Sequence, residues 1–271
     1  MAISEALNHF ALTLAPDVVE RRHSGRVLYA GGDDLMAMLP VIDLLPAMAT
    51  LRAAYSGIAP ATTGLAEGEG GFARQGNGFV RFRERLMRLM GEKATASCGA
   101  VVAHHQAPLA AVLRQLRAAE RRAKQEGGRD AFSLTIVKRS GGALHLTAKW
   151  GEPVRLLIKL RDFLAEPDVS RRAAYNSLVW MRDLPEPEDD GTMVAPMLSW
   201  QLVRQTGKRT TCEHYDLPGL AAALVAQAIG HAPSGSRLLW LENFLSIAEF
   251  LARETRSPSV PSTQLQQEAA G

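Results

Sequence analysis

Leu28-Tyr29-Ala30-Gly31-Gly32-Asp33-Asp34-Leu35-Met36-Ala37-Met38-Leu39 is the stretch on which the reading of this 271-residue chain turns. Residues 26–30 read as a short strand and residues 35–39 as a second one, closed by Pro40. Two short strands around a Gly/Asp turn make a β-hairpin. Gly31 and Gly32 admit backbone angles that other residues resist, and they leave open space beside the strand. Asp33 and Asp34 set two carboxylates at the tip of a hairpin whose flanks read as buried apolar strands. Two like charges that close disfavour each other's ionised form unless a cation lies between them. Hard oxygen donors suit Mg²⁺, which takes one or two carboxylates plus substrate phosphates. The constellation suits metal-assisted phosphoryl transfer. Taken alone, Gly and Asp are the commonest turn residues and the four letters read as a turn, so the surrounding chain decides.

Upstream, Ile3, Leu7, Phe10, Leu14 and Val18 recur at helical spacing over residues 3–22, with Ser4 as a cap and Pro16 as a kink or break. Downstream, residues 43–55 read as a helix and the glycine-rich residues 56–78 as a flexible loop or insertion. Residues 79–91, with Arg81, Arg83, Arg85 and Arg88, read as a basic amphipathic helix with a solvated face. A buried strand over 95–103 ends at His104-His105. Pro108 opens a helix that runs to about Glu126 and stops at Gly127-Gly128. Strands over 131–138 and 143–149 follow, joined by Ser140-Gly141-Gly142. From residue 152 the pattern is helical, over 153–165, 170–182, 193–205, 216–230 and 237–255, with an exposed acidic connector from Pro185 to Asp190. Trp180 and Trp200 read as core. This gives an α+β domain over 1–151, an all-α domain over 152–256 and a disordered Ser/Pro/Gln-rich tail over 257–271.

Composition excludes several classes. Hydrophobic residues make up 46% and charged residues 22%, ordinary for a globular chain and unlike a disordered or collagen-like one. The net charge of +3 is compatible with an anionic partner without specifying one. Cys98 and Cys212 lie far apart, which argues against a disulfide framework or a cysteine zinc site and fits a reducing compartment. No apolar run approaches the roughly 20 residues of a membrane span. Residues 1–5 lack a signal peptide's basic and apolar regions, so the chain reads as cytoplasmic, with no membrane partner.

The order helix, strand, Gly-Gly-Asp-Asp hairpin, strand, helix, then strand and helix resembles the palm of nucleotide cyclases and polymerases. The wider sequence resembles the large palm-domain subunit of type III CRISPR effector complexes, nearest the III-B (Cmr) subtype. The matching stretches are residues 3–11, Gly25 to Pro40, Ser97 to Leu109, Ala123 to Asp130 and Val137 to Gly142. The helical region 152–256 is similar to that family's C-terminal helical domain. The resemblance implies an incomplete ferredoxin-like palm followed by an all-α domain. It implies a nucleotidyltransferase that joins ATP into cyclic oligoadenylates through 3′–5′ linkages, in antiviral defence, once guide RNA has paired with target RNA. Asp33 and Asp34 match the catalytic, metal-binding pair, with Mg²⁺ or Mn²⁺ as the cofactor. Gly31 and Gly32 would admit the nucleotide. The implied partners are ATP, the other effector subunits (the small subunits above all, through the helical domain), and guide and target RNA.

Lys124 is the second nucleotide-binding candidate. Ala123-Lys124-Gln125-Glu126-Gly127-Gly128-Arg129-Asp130 is similar to the Ala-Lys-x-x-Gly-Arg-Asn stretch of GGDEF cyclases, with one extra glycine and Asp130 for Asn. On a helix wheel Leu109, Val112, Leu113, Leu116 and Ala123 define a buried stripe, with Lys124 at its edge. Its stem can lie along the sheet while its ammonium reaches a phosphate. Arg114, Arg117, Arg121 and Arg122 read as a solvated basic face. His104 and His105 read as packing or a hydrogen-bonded turn. A palm of this kind starts with a strand carrying another acidic ligand, and the chain opens inside the helix that should follow it. The expectation is therefore a C-terminal fragment of a longer protein, with little or no synthase activity alone. Two alternatives stand beside it. One is a non-catalytic docking module of the same complex. The other is a diguanylate-type cyclase using GTP, although that class carries Glu-Phe where this chain has Asp34-Leu35.

Overall fold

The computed structural model describes residues 2–58, 73–76, 78–139, 141–170, 172–181, 183–187, 193–233 and 235–256. The tail over 257–271, the acidic residues 188–190 and most of the glycine-rich loop lie outside the described residues. The fold is α+β, with three small sheets and nine α-helices among the described residues.

The chain enters as α1 (Ala2–His9), which continues through two π-helical stretches, Phe10–Leu14 and Asp17–Arg22. Pro16 sits between them. Lacking an N–H, proline removes one bond from the α ladder, and here the helix widens on both sides rather than kinking to an end. Phe10, Leu14 and Val18 are buried, as their spacing requires. The hairpin follows: β1 (Arg26–Gly31) and β2 (Asp34–Met38), antiparallel, with Gly31 opposite Asp34. Its flanks are not buried: Leu28, Tyr29 and Met38 are each more than half exposed. α2 (Val41–Ser56) runs back from Pro40 and stops at Gly57.

Residues 79–91 are not a helix. β3 (Ala73–Gly76), β4 (Phe79–Phe82) and β5 (Arg85–Arg88) form an antiparallel sheet, so the expected flexible loop over 56–78 also gives up its last residues to a strand. The reason is a period of two. Val80, Phe82 and Met87 are buried while the arginines between them face outward. The turn residues Arg83 and Glu84 both have positive φ, +48° and +62°, conformations usually left to Gly or Asn. No turn signal therefore marks this hairpin in the sequence. Asp17, buried, anchors it by accepting from Arg83 at 2.5 Å and from Arg22 at 2.8 Å.

β6 (Cys98–Val102), α3 (Leu109–Gln125) and β7 (Ala131–Val137) form a strand–helix–strand unit with parallel strands, and β8 (Ala143–Lys149) adds antiparallel to β7. α3 lies directly on β6 at Gly99, where an added Cβ would sit 2.4 Å from the backbone nitrogen of Glu120. Six helices follow: α4 (Glu152–Ala165), α5 (Ala173–Met181), α6 (Val194–Val203), α7 (Arg209–Tyr215), α8 (Leu217–His231) and α9 (Arg237–Arg256). α7 was not expected; Asp216, in a left-handed conformation, separates it from α8 and caps Gly219. α9 packs against β8, α2, α4, α5 and α8. One apolar core therefore runs from Phe132 and Leu134 in the sheet to Leu160, Leu241 and Phe244 in the helices. A second, smaller cluster joins Phe10 and Leu14 to Val80, Phe82 and Met87. Trp180 packs against the core, whereas Trp200 is 55% exposed and lies against the Arg204 guanidinium, 4.4 Å from its ring centroid. The hairpin β1–β2 is hydrogen-bonded to neither of the other sheets among the described residues.

Candidate functional site at the hairpin tip

The turn Gly31–Asp34 carries the two carboxylates into solvent. Gly32 has φ +62° and nothing within 4 Å of where a Cβ would stand, so its side is open to a ligand. Gly31 is different. A Cβ there would lie 2.4 Å from the phenol oxygen of Tyr29, so the tyrosine ring already fills the space that the glycine leaves. Two adjacent carboxylates on an open turn are a donor set for a hard divalent cation whose remaining ligands are phosphate and water. Among the described residues no group of three or more His, Cys, Asp or Glu side chains converges as a metal cage.

The last turn of α2 stands beside this tip. Burial raises the Tyr55 phenol pKa, the charge of Asp33 raises it further, and Arg52 lowers it. Tyr55 packs with Leu35 of β2 against the Phe10–Val80 cluster, its ring edge-on to Phe10 at 5.1 Å. Arg52 is buried and donates from Nε to Asp130 Oδ1 at 2.7 Å. It also donates to Ser56 Oγ, which donates in turn to the carbonyl of Ala94. Asp130 closes the turn that follows α3. The turn that ends α3 is therefore tied to α2, and α2 shares an apolar cluster with Leu35, the residue after Asp34 in the hairpin.

Lys124 itself is exposed, and its ammonium pairs with Glu120 Oε1 at 2.6 Å. Arg122 reaches the sheet, donating to Ser133 Oγ at 3.2 Å and Thr135 Oγ1 at 2.6 Å. Sequence reasoning assigned Arg122 to the solvated face because nothing in α3 signals that β7 presents buried hydroxyls to it. Leu109, placed on the buried stripe, is 70% exposed; Ala123 is buried as expected, and Ala119 is buried with it. Cys98 is inert as a nucleophile: burial, with Glu120 nearby, pushes its thiol up to about 12. The rings of His104 and His105 lie 4.1 Å apart, tilted by 36°, and His104 Nδ1 accepts from the Gln106 amide at 3.2 Å. That is the hydrogen-bonded turn expected of them. Tyr55 and Arg52 are the residues the sequence reading missed. The available signal was a charged side chain on the apolar face of α2, next to Leu45, Met48 and Ala49.

A family profile described as Cas10/Cmr2, second palm domain, matches residues 1–69 and 76–133, which covers the hairpin, α2 and α3. Over those residues the chain resembles that palm domain. It is 28% identical over 222 residues to the CRISPR system Cmr subunit Cmr2 of Pyrococcus furiosus. That alignment covers 80% of this chain and 22% of the relative, so the chain spans about a fifth of the length of that curated Cmr2. A shorter stretch of 59 residues is 42% identical to the Cmr2 subunit of Saccharolobus solfataricus, covering 22% of this chain and 6% of the relative. In fold, the chain is similar to part of a type III-B Cmr-beta complex solved by cryo-EM in the apo state, with a TM-score of 0.54 at 20% sequence identity. That likeness covers 77% of this chain and 22% of the other.

Proposed function

We propose that this Cas10/Cmr2-like chain is part of a type III-B CRISPR effector subunit whose hairpin tip makes cyclic oligoadenylates from ATP. The reading rests on one observation above the others. Asp33 and Asp34 stand side by side on an open Gly-Gly turn, inside the region that matches the second palm domain. In this reading Asp33 and Asp34 hold Mg²⁺ or Mn²⁺, with phosphate and water completing the shell. When bound, the metal supplies Lewis acidity at the triphosphate and eases deprotonation of the attacking 3′-hydroxyl.

The chain's own residues do the rest. Gly32 gives the triphosphate an approach to the backbone, and Tyr29 swings off Gly31 as the nucleotide enters. Lys124 exchanges Glu120 for a phosphate. An exposed i,i+4 ion pair is worth only about 0.3–0.5 kcal/mol, so that exchange costs little. Residues 1–151 act as the palm and residues 152–256 as a helical domain that meets the small subunits, in the cytoplasm. Guide and target RNA reach the site through the assembled complex, and the chain alone has little activity.

The test is to assemble the protein with type III-B subunits, guide RNA and matching target RNA, supply ATP and Mg²⁺, and analyse products by mass spectrometry. Cyclic oligoadenylates that vanish in Asp33→Ala/Asp34→Ala are expected. Products from GTP in place of ATP would favour the diguanylate-type reading. One observation favours a docking module: Tyr175, Val179, Trp200 and Val203 on α5 and α6 expose apolar surface. Firm subunit binding with no nucleotide product would make that the function.

A further inference from the structure

The turn after α3 is strained, and what holds it reaches toward the hairpin tip. Gly128, Arg129 and Asp130 have φ of +63°, +60° and +44°, three consecutive residues in the left-handed region. Side-chain-bearing residues persist there only where their surroundings over-determine the backbone, and such strain clusters at functional sites. Two side chains hold this turn. Lys149 Nζ donates to the carbonyls of Gly128 at 3.1 Å and Arg129 at 2.6 Å. Arg52 Nε donates to Asp130 Oδ1 at 2.7 Å from a position 78 residues earlier, with only 4% of its side chain exposed.

A buried arginine is a poor choice for stability alone. Its desolvation offsets much of the attraction, and an apolar residue of similar volume packs as well or better. Arginine offers geometry instead, a planar fork whose arms are fixed relative to each other. Here one arm holds Asp130, and another, through Ser56, holds the carbonyl of Ala94 at the approach to β6. The same helical turn carries Tyr55, which packs with Leu35, the residue after Asp34, against one apolar cluster.

We propose that Arg52 and Asp130 form a positioning latch that fixes the Lys124 turn relative to Asp33 and Asp34, and so sets where the phosphates of a bound nucleoside triphosphate lie. The inference rests on the reading of the hairpin tip as a nucleotide site. Neither residue touches the nucleotide; both act through the turn. Loss of the latch therefore weakens ligands in proportion to their phosphates and leaves contacts to the nucleoside in place.

The test is calorimetric titration of the full chain with ATP and with AMP in Mg²⁺, for the parent, Asp130→Asn, Arg52→Met/Asp130→Asn and Asp33→Ala/Asp34→Ala. Asp130→Asn keeps the volume and a residue that tolerates left-handed backbone. The double change avoids an unpaired buried charge, so a folded variant is available even if one of them fails to fold. Amide hydrogen exchange over residues 126–131 is read alongside. The latch predicts that ATP weakens by about tenfold or more, the scale of a displaced binding group. AMP is nearly unchanged, and exchange rises over 126–131 while α9 stays protected. A purely structural pair would lower stability and weaken ATP and AMP alike, which overturns the latch. Unchanged ATP affinity in the folded variants, beside a loss in Asp33→Ala/Asp34→Ala, overturns the latch alone. A parent that binds no ATP overturns both the nucleotide reading and the latch.

Discussion

Histidines set the pH response of this chain at the level of single residues. His145 on β8 accepts or donates at Thr135 Oγ1 across 3.2 Å, and burial, reinforced by the Arg122 charge, lowers its pKa below the ordinary 6.5. His231, against Trp240 and Gln227, is lowered by burial and by Lys149. A histidine held neutral in the folded chain takes up its proton more readily when unfolded. Stability is therefore fully present above about pH 6.5 and is lost as pH falls from there toward the depressed folded values. Urea midpoints measured from pH 7.5 down to pH 5 should fall, and His145→Gln with His231→Gln should flatten that slope. A midpoint rising toward pH 5 would contradict the assignment. At this scale the sequence was partly readable. Asp33, Asp34 and the two glycines declare a turn by their chemistry, but that Tyr29 covers Gly31 depends on one rotamer. That Arg122 reaches the sheet depends on the hydroxyls of Ser133 and Thr135, 11 and 13 residues further on.

Elements carry their stop and start signals unevenly. Pro108 and Gly127 bracket α3, and Pro40 and Gly57 bracket α2, so both helices were legible to within a few residues. The β3–β5 sheet was not, because four arginines in residues 79–91 mask a period of two and because Arg83 and Glu84 occupy a turn without glycine. The start of α9 at residue 237 was legible as well, but not what caps it. Its first amides, Arg237 N and Leu238 N, are accepted by Glu186 Oε2 at 3.0 and 3.2 Å, from within the acidic connector about 50 residues earlier. A carboxylate at a helix N-terminus satisfies orphan donors and the dipole together. Glu186→Ala should cost about 1 kcal/mol, read by thermal or urea denaturation, and a change within error would show that water replaces the cap freely.

The main core is joined by α9, which touches β8, α2, α4, α5 and α8. Phe244 is fully buried at that junction. Phe244→Ala should cost about 3–5 kcal/mol. Because the core is continuous, probes in the sheet and in the helices should lose structure in one shared transition; separate transitions would show that the core is divided near residue 151. Among the described residues no helix is long and apolar enough to cross a membrane.

The same scale holds the central claim, that the hairpin tip, α2 and the α3 turn together form a nucleotide site. It is tested most directly by calorimetric titration of the purified chain with ATP in Mg²⁺, beside Asp33→Ala/Asp34→Ala and beside GTP. The account predicts metal-dependent binding of ATP, weaker binding of GTP, and loss of binding in the variant. A demonstrably folded chain that binds no ATP, or a variant that binds it as the parent does, would contradict it.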